Sequence, residues 1–260
     1  MKPYDRRVTD VLCEVDGLVA TVTLNRPERR NAISGDLLAH LRTSMTELNA
    51  SADVRVIVLT GADPAFCAGL DLSELGSADS PLARAASGPV IPQLSKLLIG
   101  AVNGAAITGG LELVLACDFL IASERARFAD THARMGIMPG WGLTYELPAA
   151  VGLRRARQMS ATGNFVDAAT ALTWGLVNHV VPHAELMEFT RRLAADAASN
   201  DPAAVQAIFA TYREVSQVPS AEAAAVERSA NRRWHGGGID RDEVARRRDS
   251  VIQRGRTQTG

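Results

Sequence analysis

Glu112 is the residue whose type and setting most strongly suggest chemistry. It lies where the pair Gly109-Gly110 opens into an apolar segment, residues 111–116. Its neighbours at helical spacing carry no positive charge, and an unpaired ionised carboxylate in such surroundings costs several kcal/mol. Glu112 must therefore find a partner, acquire a raised pKa, or take part in a reaction. The alternative is an amphipathic helix that turns Glu112 toward water, but no polar stripe recurs at helical spacing.

His132, in the segment Asp130-Thr131-His132, is the second candidate. An unperturbed imidazole titrates near pH ~6.5 and can donate or accept a proton. It can also serve structure by hydrogen bonding to Asp130 or a backbone carbonyl, and the sequence leaves both roles open. Zinc binding by Asp130, His132 and a third residue is disfavoured because no further ligands have metal spacing, so we expect no metal. His179 and His183 flank a strand exit and are expected at the surface.

Composition sets the outer limits. The chain has 260 residues, 47% of them hydrophobic, which suits one large domain or one domain with a small appendage. Its net charge of -1 argues against a nucleic-acid or anionic-membrane binder.

Cysteine usage and the first residues predict a cytoplasmic protein. Cys13, Cys67 and Cys117 are odd in number, far apart and without Cys-x-x-Cys spacing, which favours a reducing compartment. Residues 1–7 lack a hydrophobic signal core, and no apolar stretch approaches the length that spans a membrane.

The hydrophobic pattern predicts an α/β fold. Asp16-Gly17 is a two-residue hairpin turn signal between two strands, and Ser34 is positioned to cap an amphipathic helix. Strands and helices then alternate, which implies parallel strands joined by crossover helices. The predicted strands are residues 11–15, 18–24, 54–60, 97–102, 119–122 and 177–181; the predicted helices follow Ser34 and Gly110 and span 154–161 and 167–174.

Two further regions are distinguished by composition. Residues 73–92 are rich in Ser, Ala, Gly and Pro and are predicted to form a surface loop. Beyond Pro182 the strands stop, and residues 205–215 and 220–254 are predicted to be helical. Their apolar stripes need another surface to cover them, so we expect a subunit interface.

Three segments, at their observed separations, resemble the crotonase, or enoyl-CoA hydratase/isomerase, family. They are residues 65–72 (AFCAGLDL), 101–113 (AVNGAAITGGLEL) and 128–142, which ends in MPGWG. Residues 24–32, 162–163 and 171–177 agree with the same pattern. The resemblance implies a spiral of repeated strand-strand-helix turns over residues 1–195. It also implies a helical trimerisation region over 196–260, assembled as a homotrimer or a dimer of trimers.

The resemblance also implies a substrate and a way of stabilising charge. Family members bind an acyl-CoA thioester and develop negative charge on its carbonyl oxygen, so coenzyme A enters with the substrate and no cofactor is expected. By the family's pattern the backbone N–H groups of Leu70 and Gly109 form the oxyanion hole.

The remaining substrate contacts are carried over in the same way. The backbone from Phe66 through Ala68 to Gly69 is expected to hold the adenine of CoA, and Asp71 is also expected among the substrate-binding residues. Arg26 is expected to contact phosphate, with Arg29 or Arg30 as alternatives. Gly140 corresponds to a glycine near the reacting water, and Trp141, with Tyr145, is predicted to line the acyl pocket.

The chain departs from the family at the second acid. Hydratases of the family use two glutamates, and His132 stands at the position of the second. Three functions remain open: a hydro-lyase acting on a 2-enoyl-CoA through Glu112 and His132, a double-bond isomerase using Glu112 as a single base, and an acyl-CoA-binding protein that has lost hydration. Acyl chain length is not readable, because residues 73–92 and a neighbouring subunit are expected to shape the pocket.

Overall fold

The structure is a computed structural model that describes residues 5–8, 10–74, 82 and 88–235. The chain divides into two compact units, residues 1–202 and 203–260. The strands are β1 (Asp5–Val8), β2 (Val11–Asp16), β3 (Val19–Leu24), β4 (Val56–Gly61), β5 (Ala65–Cys67), β6 (Leu97–Val102), β7 (Ala105–Ile107), β8 (Phe119–Ser123), β9 (Arg127–Ala129), β10 (Val166–Asp167) and β11 (His179–Val181). The helices are α1 (Gly35–Ala50), α2 (Gly109–Leu115), α3 (His132–Met135), α4 (Leu143–Val151), α5 (Leu153–Thr162), α6 (Ala168–Trp174), α7 (Leu186–Ala198), α8 (Pro202–Ser216) and α9 (Ser220–His235).

The first unit contains two sheets. The larger one has seven strands in the order β1-β2-β3-β4-β6-β8-β11, and the smaller has four in the order β10-β9-β7-β5. From β3 onward the larger sheet is parallel. The chain passes from β6 to β7 and then into α2, and again from β8 to β9 and then into α3, so each turn contributes one strand to each sheet. This repetition confirms the predicted strand-strand-helix spiral.

The core explains the apolar runs in the sequence. Every residue of β4 and of β6 is buried, as expected for parallel strands covered on both faces. Helix α7 packs on β3, β4, β6 and β8, and α1 packs on β2 and β3. Phe66 and Phe128, one each on β5 and β9, are the largest fully buried side chains. The smaller sheet is therefore anchored in the core, directly below α2.

Most predicted elements are present, with ends shifted by one or two residues. Gly17 adopts φ 56°, as the hairpin requires, and the Ser34 hydroxyl accepts a hydrogen bond from the Leu37 N–H at 3.1 Å. The sequence pattern did not predict β1, the short strands β5, β7, β9 and β10, or helix α4 with its internal Pro148. Three-residue strands are too short to show a period.

Part of two predictions lies outside the described residues. Of the predicted loop 73–92, residues 75–81 and 83–87 are outside, and the helix predicted for 220–254 is described as α9 only to His235. Among the described helices, none is long and apolar enough to cross a membrane.

The second unit presents an apolar groove between α8 and α9. The groove has a volume of about 570 Å³ and includes Ile208, Tyr212 and Trp234, which are 50%, 67% and 47% exposed. An ion pair joins Glu214 to Arg233 at 2.9 Å. The assignment of this unit to trimerisation stays a prediction.

Gly110 sets how closely α2 approaches β5. A Cβ built at this position would lie 2.2 Å from the Cys67 carbonyl oxygen, which is backbone and cannot rotate away. We expect Gly110→Ala to lower the melting temperature by about 3–10 °C, because overpacking costs about 1–3 kcal/mol and each kcal/mol is worth ~2–4 °C in a chain of this size. Differential scanning calorimetry measures the shift.

Gly140→Ala is the matched control. A Cβ at position 140 meets no atom within 4 Å, so its melting temperature should stay within about 1 °C of the wild type. Inside a helix, alanine is more favourable than glycine by about 1 kcal/mol. A Gly110→Ala variant with a raised melting temperature would therefore show that α2 and β5 have room for a methyl group.

Candidate active site

Helix α2 follows a strained residue. Thr108 adopts φ 53° and ψ -109°, a conformation that β-branched residues rarely take. It is held there because its N–H donates to the Ala129 carbonyl at 2.9 Å and its hydroxyl hydrogen-bonds the Thr131 hydroxyl. Such strain costs about 1–3 kcal/mol and clusters at functional sites. Here it sets the direction of the next N–H group, that of Gly109.

Leu70 and Gly109, the residues of the predicted oxyanion hole, are close neighbours in the structure, and their role stays a prediction. Ile33 donates to the Gly69 carbonyl at 2.7 Å and accepts from the Asp71 N–H at 2.9 Å, which leaves the intervening Leu70 N–H directed away from Ile33. A Cβ placed on Gly69 would lie 3.7 Å from the Gly109 nitrogen. Within the described ranges, neither the Leu70 nor the Gly109 N–H has a hydrogen-bond acceptor. Two free donors therefore lie side by side.

Glu112 is buried, with 2% of its surface exposed. Burial raises the pKa of its carboxyl group, and the N–H of Trp141 and the nearby His132 act against that rise. Oε1 accepts the Trp141 N–H at 2.7 Å, and Oε2 lies 3.7 Å from Nε2 of His132. The residues along α2 supply no cation, as the sequence indicated. The titratable partner, His132, comes instead from the first residue of α3.

His132 is buried and directed at Glu112 by Asp130. Its Nδ1 lies 2.7 Å from Oδ1 of Asp130, which also accepts the His132 backbone N–H at 3.1 Å. Burial alone would raise the pKa of Asp130, but the hydrogen bonds from His132 and Ser160 lower it overall. The two roles left open by the sequence are combined in one ring: one nitrogen is bonded to Asp130 and the other faces the candidate acid/base.

Trp141 and Gly140 form the rim next to Glu112. The Trp141 ring packs against the turn at Gly109, since its Cζ3 is 3.3 Å from where a Gly109 Cβ would be. Gly140 is exposed, and its N–H also acts to lower the pKa of Glu112. Tyr145 is 67% exposed, so the described structure does not bury it as a pocket wall.

Arg26, predicted to contact phosphate, is engaged inside the protein. Its guanidinium donates to the Ala32 carbonyl at 2.6 Å and pairs with Asp71 at 3.0 Å. The Ser73 hydroxyl and N–H, together with Arg26, hold the pKa of Asp71 low despite partial burial. Arg29 and Arg30 are exposed. The phosphate contact stays a prediction, and these two side chains are better placed to make it.

The backbone around Phe66 is fixed from below by buried polar groups. The Phe66 side chain is fully buried, so contact with an adenine would fall to the backbone of this segment, including the half-buried Ala68. The amide of Asn31 donates to the carbonyls of Ala62 and Ala65 at 2.8 and 2.7 Å, and its oxygen accepts from Arg26. Asn31 was not singled out as a site residue.

Asp130 and Thr108 are the other residues that the candidate-site prediction missed. The sequence offered Asp130 as a structural hydrogen-bond partner of His132 and not as a site residue. The backbone conformation of Thr108 left no signal in the sequence. Of the two surface histidines, His179 is exposed, but His183 is partly buried between the Ser123 hydroxyl and Asp63, both at 3.0 Å. The described residues contain no cluster of three or more potential metal ligands.

Comparisons with known proteins identify the family and the fold of this chain. The enoyl-CoA hydratase/isomerase family profile matches residues 14–244. A probable peroxisomal enoyl-CoA hydratase 1 of Arabidopsis thaliana is 32% identical over 257 residues, covering 96% of this chain and 97% of that protein. A solved enoyl-CoA hydratase of Bacillus anthracis is 34% identical, with a TM-score of 0.86 and coverage of 93% and 96%.

A solved enoyl-CoA hydratase of Mycobacterium avium is 46% identical, with a TM-score of 0.75 and coverage of 85% of this chain and 94% of that one. These similarities extend over nearly the whole chain and confirm both the resemblance and the fold inferred from it. The chain belongs to the enoyl-CoA hydratase/isomerase family.

Proposed function

We propose that the protein adds water reversibly across the double bond of a 2-enoyl-CoA, with Glu112 and His132 as a proton-transferring pair. The observation that carries this proposal is the 3.7 Å separation of two buried titratable groups, Glu112 Oε2 and His132 Nε2. Hydration needs one group to take a proton from water and another to deliver one to carbon. The relatives named as enoyl-CoA hydratases support the same assignment.

The thioester carbonyl oxygen would lie between the N–H groups of Leu70 and Gly109. Negative charge develops on that oxygen as water adds to C3, and each preorganised donor is worth roughly 3 kcal/mol in a site that excludes water. Because Thr108 fixes the turn before the substrate arrives, no reorganisation is needed during the reaction.

The proton transfers follow from the two side chains. Ionised Glu112 takes a proton from the attacking water, whose oxygen bonds to C3, and protonated His132 delivers a proton to C2. A water about 2.8 Å from both Glu112 Oε2 and His132 Nε2 is compatible with their separation. Dehydration reverses both transfers. Burial raises the pKa of Glu112 from its ordinary acidic value, which suits an acid/base that must exchange protons near neutral pH.

Isomerisation is the second candidate, and the histidine at the position of the second glutamate favours it. A single base on Glu112 could move one proton between C4 and C2 of a 3-enoyl-CoA. His132 would then be unnecessary for chemistry. Either reaction uses the coenzyme A of the substrate and no separate cofactor. A cytoplasmic location also stays a prediction.

Glu112→Gln should reduce turnover at least about 100-fold, because the amide keeps the shape and loses proton transfer. The hydration rate of a short 2-enoyl-CoA, followed by loss of conjugated thioester absorbance, provides the measurement. The matched control is Glu188→Gln, which removes an exposed carboxylate paired with Arg192 and should leave turnover unchanged. Near wild-type activity in Glu112→Gln would place the chemistry elsewhere.

His132→Gln separates the two reactions. Under the proposal, hydration falls by about 100-fold or more while thioester affinity, measured calorimetrically with a saturated acyl-CoA, changes little. Affinity is preserved because the donors of Leu70 and Gly109 are untouched. If His132→Gln retains full hydration, the ring is not the second acid/base. A wild-type protein that isomerises a 3-enoyl-CoA and does not hydrate a 2-enoyl-CoA would favour the single-base reaction.

The groove between α8 and α9 supports a trimer or a dimer of trimers. Ile208, Tyr212 and Trp234 leave apolar surface that a second copy would cover. Sedimentation at micromolar concentration should give a trimer or hexamer, and Ile208→Asp with Tyr212→Asp should shift it to smaller species. The matched control is Glu188→Gln on α7, which should keep the wild-type size. A stable wild-type monomer would contradict the assembly.

A further inference from the structure

His132 has a partner that is as buried as the ring itself. Asp130 is 1% exposed and His132 is 4% exposed. One oxygen of Asp130 receives two bonds from the same residue, from the ring Nδ1 at 2.7 Å and from the backbone N–H at 3.1 Å. Ser160, on α5, lies close enough to the same carboxyl group to lower its pKa. A buried carboxylate with these partners is fixed in place.

The chemistry of a carboxylate decides which ring nitrogen carries the proton. The hydrogen bonds from His132 and Ser160 lower the pKa of Asp130 despite its burial, so the group is ionised near neutral pH. An ionised carboxylate accepts hydrogen bonds and donates none. The proton of neutral His132 must therefore lie on Nδ1, and Nε2, 3.7 Å from Glu112 Oε2, is left as the exchangeable position.

The residues next to His132 are also hydrogen-bonded to Thr108, the residue before Gly109. Thr131, between Asp130 and His132, hydrogen-bonds the Thr108 hydroxyl through its own hydroxyl, and its N–H reaches the same atom at 3.4 Å. The ring orientation and the Gly109 donor are thus set by neighbouring contacts. Behind the ring lies a cavity of about 300 Å³, lined by Asp130, His132, Ser160 and mostly apolar side chains. Without Asp130 that space would allow the ring to turn.

We infer that Asp130 is a positioning residue, which fixes His132 in the Nδ1–H tautomer and aims Nε2 at Glu112. This inference rests on the proposed function for its kinetic consequence, but the tautomer itself does not depend on activity. Three charged or titratable side chains face His132. They are Glu112 on α2, Asp130, and Arg157 on α5; Arg157 lines the same cavity as His132. Asp130 is the one in direct contact with the ring at hydrogen-bond distance.

Asp130→Asn removes the negative charge of Asp130, and Asp130→Leu also removes its hydrogen bonds to His132. We expect kcat for hydration to fall about 10–100-fold with little change in KM, which is the usual loss when the partner of a functional imidazole is removed. Ser160→Ala should lower kcat in the same way but by less.

Asp167→Asn is the matched control. Asp167 also accepts a backbone N–H, that of Thr170 at 2.8 Å, but it caps α6 instead of a site residue. It should leave both the melting temperature and kcat close to the wild-type values, because asparagine caps a helix about as well as aspartate. A shifted melting temperature with an unchanged kcat in Asp130→Asn would show that Asp130 serves stability alone and overturn the inference.

Nitrogen-15 NMR of histidine-labelled protein reads the tautomer directly, with His132→Gln assigning the signal. The inference predicts a proton on Nδ1 in the wild type and its loss or exchange in Asp130→Leu. A neutral wild-type ring with its proton on Nε2 and none on Nδ1 would overturn it whether or not the protein hydrates any substrate. A wild type with the Nδ1–H tautomer but no hydration activity would instead reject the proposed function and leave the positional assignment of Asp130 standing.

Discussion

The burial of one carboxylate governs the arrangement of this site. Glu112 lies at the start of a short helix that packs on the smaller sheet, so its charge cannot be satisfied by water. Its two oxygens contact separate parts of the chain: Oε1 accepts a hydrogen bond from the Trp141 N–H, and Oε2 lies near Nε2 of His132. Each of those parts must be fixed independently, because an unpaired carboxylate at this depth would cost several kcal/mol.

The fixing is done by backbone contacts and short polar side chains. Thr108 is held in a rare conformation by Ala129 and Thr131, and this places the Gly109 N–H beside that of Leu70. Leu70 is bracketed in turn by the bonds of Ile33 to its two neighbours. The N–H groups of Leu70 and Gly109 are thereby connected to Glu112 and His132 through the two hydrogen bonds between Thr108 and Thr131. Under the proposed function, this preorganisation stabilises the charge that develops on the substrate.

The residues differ in how far the sequence could predict them. Glu112 stood out because a charge inside an apolar helix has few outcomes, whereas Gly109 was identified through the resemblance to the family. Strand and helix alternation predicted parallel strands with crossover helices, and the resemblance implied the spiral. Strands β5, β7 and β9 escaped prediction because three residues show no period. The contact between His132 and Glu112 joins the start of α3 to α2, and only the fold brings these residues together. Arg26 illustrates the opposite limit: its charge suggested a phosphate, but the buried Asp71 engages it.

Isotope tracing of the reaction tests the central claim most directly. The wild type is incubated with a short 2-enoyl-CoA in water enriched in oxygen-18 and deuterium, and the product is examined by mass spectrometry and NMR. The paired action of Glu112 and His132 predicts one oxygen-18 at C3 and one solvent deuterium at C2, with the conjugated thioester consumed. Deuterium exchange with a shifted double bond and no oxygen-18 would contradict hydration and indicate a single-base isomerase.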